Sequence, residues 1–263
     1  MIRTVFLSDV HVMSRHGIVP PEWRQRSDPL RPVQEYIWEC WTDFVRSCPK
    51  LDNLVFVGDL IDGTIQLRGQ PRGVASDDLI DQIEAAIAVL GPLARKAKRV
   101  YVVRGTPFHE TADAVEAIAR NLPNAVAWAA GRYSGHVLTL ELGGLNVDIS
   151  HHQTRGWMWL GGAASRLAVL SAAAEAAAKL PRADVIVRGD LHTYVLMRTL
   201  QKWICFLPGW TMPSLHAIRR MEATRAHLAA DIGGLMMTID RDGSVGWREW
   251  IYPLYKREIV KGG

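Results

Sequence analysis

Aspartate and histidine recur in one kind of place along this chain. They stand at Ser8-Asp9-Val10-His11, at Gly58-Asp59-Leu60-Ile61-Asp62-Gly63, and at Arg104-Gly105-Thr106-Pro107-Phe108-His109-Glu110. They return at Ser150-His151-His152 and at Arg188-Gly189-Asp190-Leu191-His192. Carboxylate oxygens and imidazole nitrogens suit Mn²⁺, Fe²⁺ or Zn²⁺, and the lack of cysteine at these turns argues against a sulfur-rich structural zinc site. Together they are the ingredients of metal-assisted hydrolysis. Singly they are ordinary, because an Asp after a strand usually caps a turn and a lone His is more often hydrogen-bonded than ligating. Asp62 has two such roles open to it, as a turn cap or as the acceptor that holds a ligand in place.

Each turn follows a short apolar run. Residues 4–7, 54–57, 100–103, 147–149 and 185–187 read as buried strands. Periodicity predicts helices over residues 33–46 and 77–96; in the second, Leu79, Ile83, Ile87, Leu90 and Ala94 share one face. Strands alternating with helices imply a largely parallel α/β sheet. Past residue 125 hairpins take over, one with strands 133–142 and 145–150 about Gly143-Gly144, another with strands 235–239 and 245–252. An alanine-rich helix over residues 158–179 and strands at 195–199 and 203–207 complete a picture of two packed sheets with helices outside. The carboxyl ends of parallel strands face a common crevice, so the five turns are expected to converge. So many carboxylates at close range stay ionised only beside a cation. Glycines 58, 105 and 189 allow the close backbone approach this needs, and the aperiodic loop 63–76 is placed to form a rim.

Composition sets wider bounds. A chain of 263 residues with 48% hydrophobic and 22% charged residues fits one globular domain, residues 1–263. The net charge of +4 admits an anionic partner without demanding one. Of the 31 basic residues 24 are Arg, which suits bidentate phosphate recognition and is equally explained by a compositional bias. Cys40, Cys48 and Cys205 show no C-x-x-C spacing, as expected of free thiols in a reducing compartment. No uncharged apolar run of about 18 residues is present and the N-terminus lacks signal-peptide character. A cytoplasmic, intracellular location without a membrane span is the expectation.

Read in order, the five turns resemble the signature of the calcineurin-like metallophosphoesterase superfamily: D-x-H, G-D-x-x-D/N, G-N-H-D/E, a strand ending in His, and G-H-x-H. Asp9-Val10-His11 matches the first and Gly58-Asp59-Leu60-Ile61-Asp62 the second. His151, ahead of His152, is the strand-end histidine, and the likeness spans residues 4 to 193. The resemblance implies an α/β four-layer sandwich of two mixed β-sheets flanked by α-helices. It also implies two divalent metal ions bridged by one carboxylate, the place held by Asp59. Asp9, His11 and His192 would complete the first site. His151 would complete the second, with Thr106 and Asp190 at the positions of the family's Asn and earlier His.

Those last two positions depart from the pattern. Thr106 replaces Asn with the nearest histidine, His109, two residues late, and Asp190 replaces His. The G-T-x-x-H arrangement resembles a variant of phage-type members of the superfamily. A Thr hydroxyl is a poor metal ligand and Asp190 a hard anionic one, so the second site favours Mn²⁺ or Mg²⁺ over Zn²⁺. Mn²⁺ is the first expectation overall, with Fe²⁺, Zn²⁺, Ni²⁺ or Mg²⁺ as alternatives.

The expected function is a metal-dependent phosphoesterase acting on phosphate esters through a metal-bridging hydroxide, with phosphodiesters or nucleotides ahead of phosphoproteins. His109 is placed either to protonate the leaving oxygen or to ligate a metal in place of the missing Asn. Arg104 and Arg188 are placed to clamp a phosphate or to balance the carboxylates as outer ion pairs. Trp157, Trp159 and Trp210 suit either base stacking or core packing. A nuclease binding DNA or RNA is the nearest alternative. A non-catalytic scaffold keeping the fold and one metal is the second. An adhesion role for Arg188-Gly189-Asp190 needs an exposed loop on a secreted protein, and the sequence indicates neither.

Overall fold

The structure, a computed structural model, describes residues 1–64, 73–152, 160–212 and 230–253. Trp157, Trp159, His216, His227 and most of the loop 63–76 lie outside the described residues.

Four segments, β1 (Ile2–Leu7), β2 (Leu51–Val57), β3 (Ala97–Val103) and β4 (Ser134–Gly135), pair in parallel in that order. On the other side of β1, β10 (Ile232–Ile239) and then β11 (Val245–Tyr252) add antiparallel, giving six strands. A second sheet holds β5 (Val137–Leu142), β6 (Leu145–Ser150), β7 (Val185–Arg188), β8 (Val195–Arg198) and β9 (Trp203–Phe206). Its order is β5-β6-β7-β9-β8, with β6, β7 and β9 parallel and the two outer strands antiparallel.

The period of two along a strand separates the layers. In β2, Leu54 and Phe56 meet the helices α1 (Arg31–Ser47), α2 (Leu79–Ala94) and α3 (Ala112–Asn121), while Val55 and Val57 face the second sheet. In β7, Val185 and Val187 enter the same inter-sheet core, and Ile186 packs with Ala164 and Leu167 of α4 (Leu160–Ala176) on the far side. Burial on both faces is why these strands read as continuous apolar runs. Each fully buried Val or Phe contributes roughly 1.5–3 kcal/mol, so the inter-sheet core fixes where the strand ends fall. The result is the four-layer sandwich of two mixed sheets between helices.

Two local readings change. Helix α3 went unforeseen, although Ala114, Val115, Ile118 and Ala119 form an apolar face at helical spacing with Asp113, Glu116 and Arg120 off it; its N-cap is Thr111, whose side chain accepts from the Ala114 amide. The expected strand 133–142 divides at His136, β4 joining the first sheet and β5 the second. Gly143 and Gly144 make the expected hairpin turn at φ 58° and 85°. Among the described residues no helix is long and apolar enough to cross a membrane, and Cys40, Cys48 and Cys205 are buried free thiols.

Of the two readings of Trp210, core packing is the one that holds. It is fully buried, its ring 4.9 Å from that of Trp41 and 5.5 Å from that of Phe44. Trp210→Ala is expected to lower stability by about 3–5 kcal/mol, read as a shift in the urea unfolding midpoint.

Candidate metal centre

The turns after β1, β2 and β3 meet those after β6 and β7 where the two sheets abut. Backbone hydrogen bonds lace them together: the Asp9 amide donates to Gly58 O (3.1 Å), that of His11 to Asp59 O (2.9 Å), and that of Gly189 to His151 O (3.1 Å). Asp9, His11, Asp59, Asp190 and His192 all adopt positive φ, between 45° and 71°. Such left-handed backbone costs of order 1–3 kcal/mol per residue and persists where surroundings over-determine it. The fit is close enough to demand glycine at two points. A Cβ on Gly105 would lie 2.0 Å from Asp59 Oδ1, and one on Gly189 would lie 2.0 Å from Ser8 Oγ.

Three histidines turn the same atom inward. The Nδ1 of His11 lies 3.0 Å from Asp62 Oδ1, and that of His151 lies 2.7 Å from the Val57 carbonyl. Both partners only accept, so each Nδ1 carries the proton. His192 Nδ1 meets Thr211 Oγ1 at 3.0 Å. With the outer nitrogens occupied, the three Nε2 atoms face the carboxylates. His192 Nε2 is 3.1 Å from Asp9 Oδ1, His11 Nε2 is 3.8 Å from it and His151 Nε2 is 3.9 Å from it. Asp59 Oδ2 lies between two of them, 3.2 Å from His151 Nε2 and 4.0 Å from His11 Nε2.

The carboxylates are divided in the same way. Asp9 Oδ2 accepts from the Ser8 hydroxyl and from the Asp190 amide (3.0 Å), and Asp59 Oδ1 accepts from the Thr106 amide (2.6 Å) and hydroxyl (3.0 Å). The inner atoms Asp9 Oδ1, His11 Nε2 and His151 Nε2 are buried and have no hydrogen-bond partner. Buried polar atoms are nearly always paired; three unpaired ones converging on one point fit a cation. The potential ligand atoms of Asp9, His11 and His192 lie within 4.8 Å of one another, as do those of Asp9, Asp59 and His151. All donors are oxygen or imidazole nitrogen, which suits first-row divalent ions.

The electrostatics point the same way. Burial opposes charge on Asp9, yet the His192 and His151 imidazoles hold its carboxyl well below the usual range. Burial opposes charge on His151 too, and the Asp9 and Asp59 carboxylates raise it to about 10. The same carboxylate charge that draws protons onto imidazole would favour a divalent cation in their place.

The remaining expected residues divide. Asp190 is at the edge, its Oδ1 3.9 Å from His151 Nε2 and its side chain 40% exposed. Burial raises its carboxyl above the usual range, and the Asp9 and Asp59 charges add to the effect. Thr106 reaches both oxygens of Asp59, at 3.0 and 3.1 Å. His109 stands beside Asp62, its Nδ1 3.3 Å from Oδ1 and 3.2 Å from the main-chain O. His152 is exposed, against the buried His151.

The two arginines are not brought in. Arg188 is buried against Asp148, Nη2 to Oδ2 2.6 Å, and Nη1 donates to the Asp148 and Val187 carbonyls. Arg104 Nε donates to Ser134 Oγ at 3.0 Å, at the β3–β4 edge. Arg188 is thus engaged by Asp148 and Arg104 by Ser134, and neither is seen in contact with the centre's carboxylates among the described residues.

Two contributors went unread. Glu110 is buried beneath the turns, accepting from the Leu60 amide (2.9 Å) and the Gly105 amide and so tying the β2 and β3 loops together. Burial, then the Asp59 charge, pushes its carboxyl up to about 7. Thr211 follows β9, a parallel strand beside β7, and counting hydroxyls at strand ends along with Asp and His would have flagged it.

No family model matches the chain, and no curated protein matches its sequence. Among solved structures it is similar to a double mutant of Vps29 from Entamoeba histolytica, at 13% identity and TM-score 0.48, covering 96% of this chain and 100% of that one. It is similar to a novel archaeal phosphodiesterase at 11% identity and TM-score 0.48, covering 95% and 100%. Vps29 from Chaetomium thermophilum gives 12% identity and TM-score 0.45 over 96% and 98%.

Removing the Asp62 carboxylate releases the His11 ring from its fixed tautomer. Asp62→Ala is expected to weaken Mn²⁺ binding about 10- to 100-fold, measured by titration calorimetry.

Proposed function

We propose that this chain is a divalent-metal-dependent phosphoesterase that favours phosphodiesters. The observation that carries the reading is the convergence of three imidazole Nε2 atoms on the presented oxygens of Asp9 and Asp59, with every outer nitrogen already occupied. Asp9, His11 and His192 form one ligand group and Asp59, His151 and Asp190 the other. Asp59 Oδ2 stands between His11 and His151, as a shared ligand would. Thr106 orients Asp59 from behind through its amide and hydroxyl, a role distinct from ligation.

Bound divalent ions would supply Lewis-acid activation of water and neutralise charge developing on phosphorus. The protein's own groups supply the rest. His109, with Nδ1 facing Asp62 and its side chain 25% exposed, is the group placed to hold the proton for a leaving oxygen. Four carboxylates, Asp9, Asp59, Asp62 and Asp190, balance the four positive charges of two divalent ions. Little surplus charge is left to attract a monoester dianion, which supports a singly charged diester as substrate.

Metal content and hydrolysis of chromogenic mono- and diesters test this together. Wild type loaded with Mn²⁺ is expected to hold two equivalents and to turn over the diester faster than the monoester. Asp59→Ala is expected to lose bound metal and at least about 100-fold in kcat/KM, roughly 2.7 kcal/mol of transition-state stabilisation. Full metal content and activity in that variant overturn the assignment. One equivalent with no turnover favours a non-catalytic fold, and DNA or RNA affinity falling steeply with salt favours a nuclease.

A further inference from the structure

The turn after β3 is pinned at both ends. Thr106 is fixed to Asp59 and Glu110 to the Gly105 and Leu60 amides, while the His109 and Glu110 amides both donate to Thr106 O at 3.1 and 3.0 Å. From the other side, a Cβ on Gly63 would lie 2.2 Å from His109 O, so the β2 loop sits hard against the turn. At its tip stands Phe108, 37% exposed. Among the described residues it is the only aromatic counted with the exposed large hydrophobic side chains.

The ring of Phe108 meets His109 edge-on at 4.9 Å between centroids, His109 meets His11 at 4.5 Å, and His11 stacks on His192 at 5.2 Å. A continuous row of rings thus runs from the exposed phenyl group to the imidazoles of the centre. An apolar ring left this exposed adds little to folding. Held on a preorganised turn, it pays little ordering entropy when a ligand covers it.

We propose that Phe108 is the stacking platform for a nucleobase, or a similarly flat group, esterified to the phosphate held at the metal centre. This names a substrate class, nucleoside phosphodiesters, and it rests on the phosphoesterase reading above. Base stacking on an aromatic side chain is sequence-tolerant and changes affinity by about 5-fold or more. Phe108 is therefore a specificity-determining residue that bears on the part of the substrate away from the reacting bond.

The test uses two diesters with the same leaving group, thymidine 5′-(p-nitrophenyl phosphate) and methyl p-nitrophenyl phosphate, on the Mn²⁺-loaded full chain. In Phe108→Ala the ratio of kcat/KM for the nucleoside ester over the methyl ester is expected to fall about 5-fold or more, through KM, and Phe108→Tyr is expected to restore it. Binding of thymidine 5′-monophosphate, followed by NMR of the base protons, gives a readout without turnover and is expected to weaken by the same factor. An unchanged ratio together with unchanged binding overturns the proposal. If wild type hydrolyses neither ester, the phosphoesterase reading fails and the binding arm decides alone: loss of base contacts in Phe108→Ala upholds the platform, and equal binding or none in wild type overturns it.

Discussion

Two buried carboxylates, Asp9 facing three imidazoles and Asp59 facing two of them, are the constraint around which this molecule is organised. A carboxylate removed from water is costly unless its lone pairs are met. Asp9 meets the cost on Oδ2, through Ser8 and the Asp190 amide, and Asp59 on Oδ1 through the Thr106 amide and hydroxyl, the hydroxyl also lying 3.1 Å from Oδ2; each carboxylate still turns an oxygen toward the imidazoles. The histidines repeat the device with nitrogens, the outer one tied to Asp62, Val57 O or Thr211 and the inner one presented. Both halves of each group are thus assigned before any ion arrives, which is what preorganisation of a metal centre requires.

Such an arrangement needs turns that no single sheet provides. β1, β2 and β3 bring Asp9, His11, Asp59 and Thr106 from one side, and β6 and β7 bring His151, Asp190 and His192 from the other. What keeps the two sets in register is the inter-sheet core of Phe6, Val55, Val57, Val147, Val185 and Val187 just beneath them. The left-handed residues at five of the candidate ligand positions are therefore held by packing that is itself fully buried.

This construction explains what could be read in the sequence. The polar residues after each apolar run were legible, because a doubly covered parallel strand is apolar throughout and its end is conspicuous. The directions of individual side chains were not taken from it, although the period of two holds that information. Val185 and Val187 face the core between the sheets, so Arg188 falls on the opposite face, where Asp148 waits between the inward Val147 and Ile149. Arg104 follows Val103 by the same alternation and meets Ser134. Trp210 was out of reach of such reasoning, since its place depends on α1 and β11 folding back to supply Trp41, Phe44 and Tyr252. Helix α3, by contrast, was legible: Val115, Ile118 and Ala119 recur at helical spacing behind the Thr111 cap, in a segment of only ten residues.

Thr106 and Asp190, the two positions that depart from the signature the sequence resembles, both bear on Asp59. The Thr106 hydroxyl lies within 3.1 Å of both Asp59 oxygens and orients that carboxylate. Asp190 then adds a negative charge where an imidazole is neutral, at a side chain still partly open to solvent. In the assignment proposed above, the half built on His151 would be harder and more anionic than the half built on His11 and His192. Divalent ions differ in how they weigh charge against imidazole donors. The asymmetry between the halves is therefore written into the ligand types, while the fold that holds them is shared.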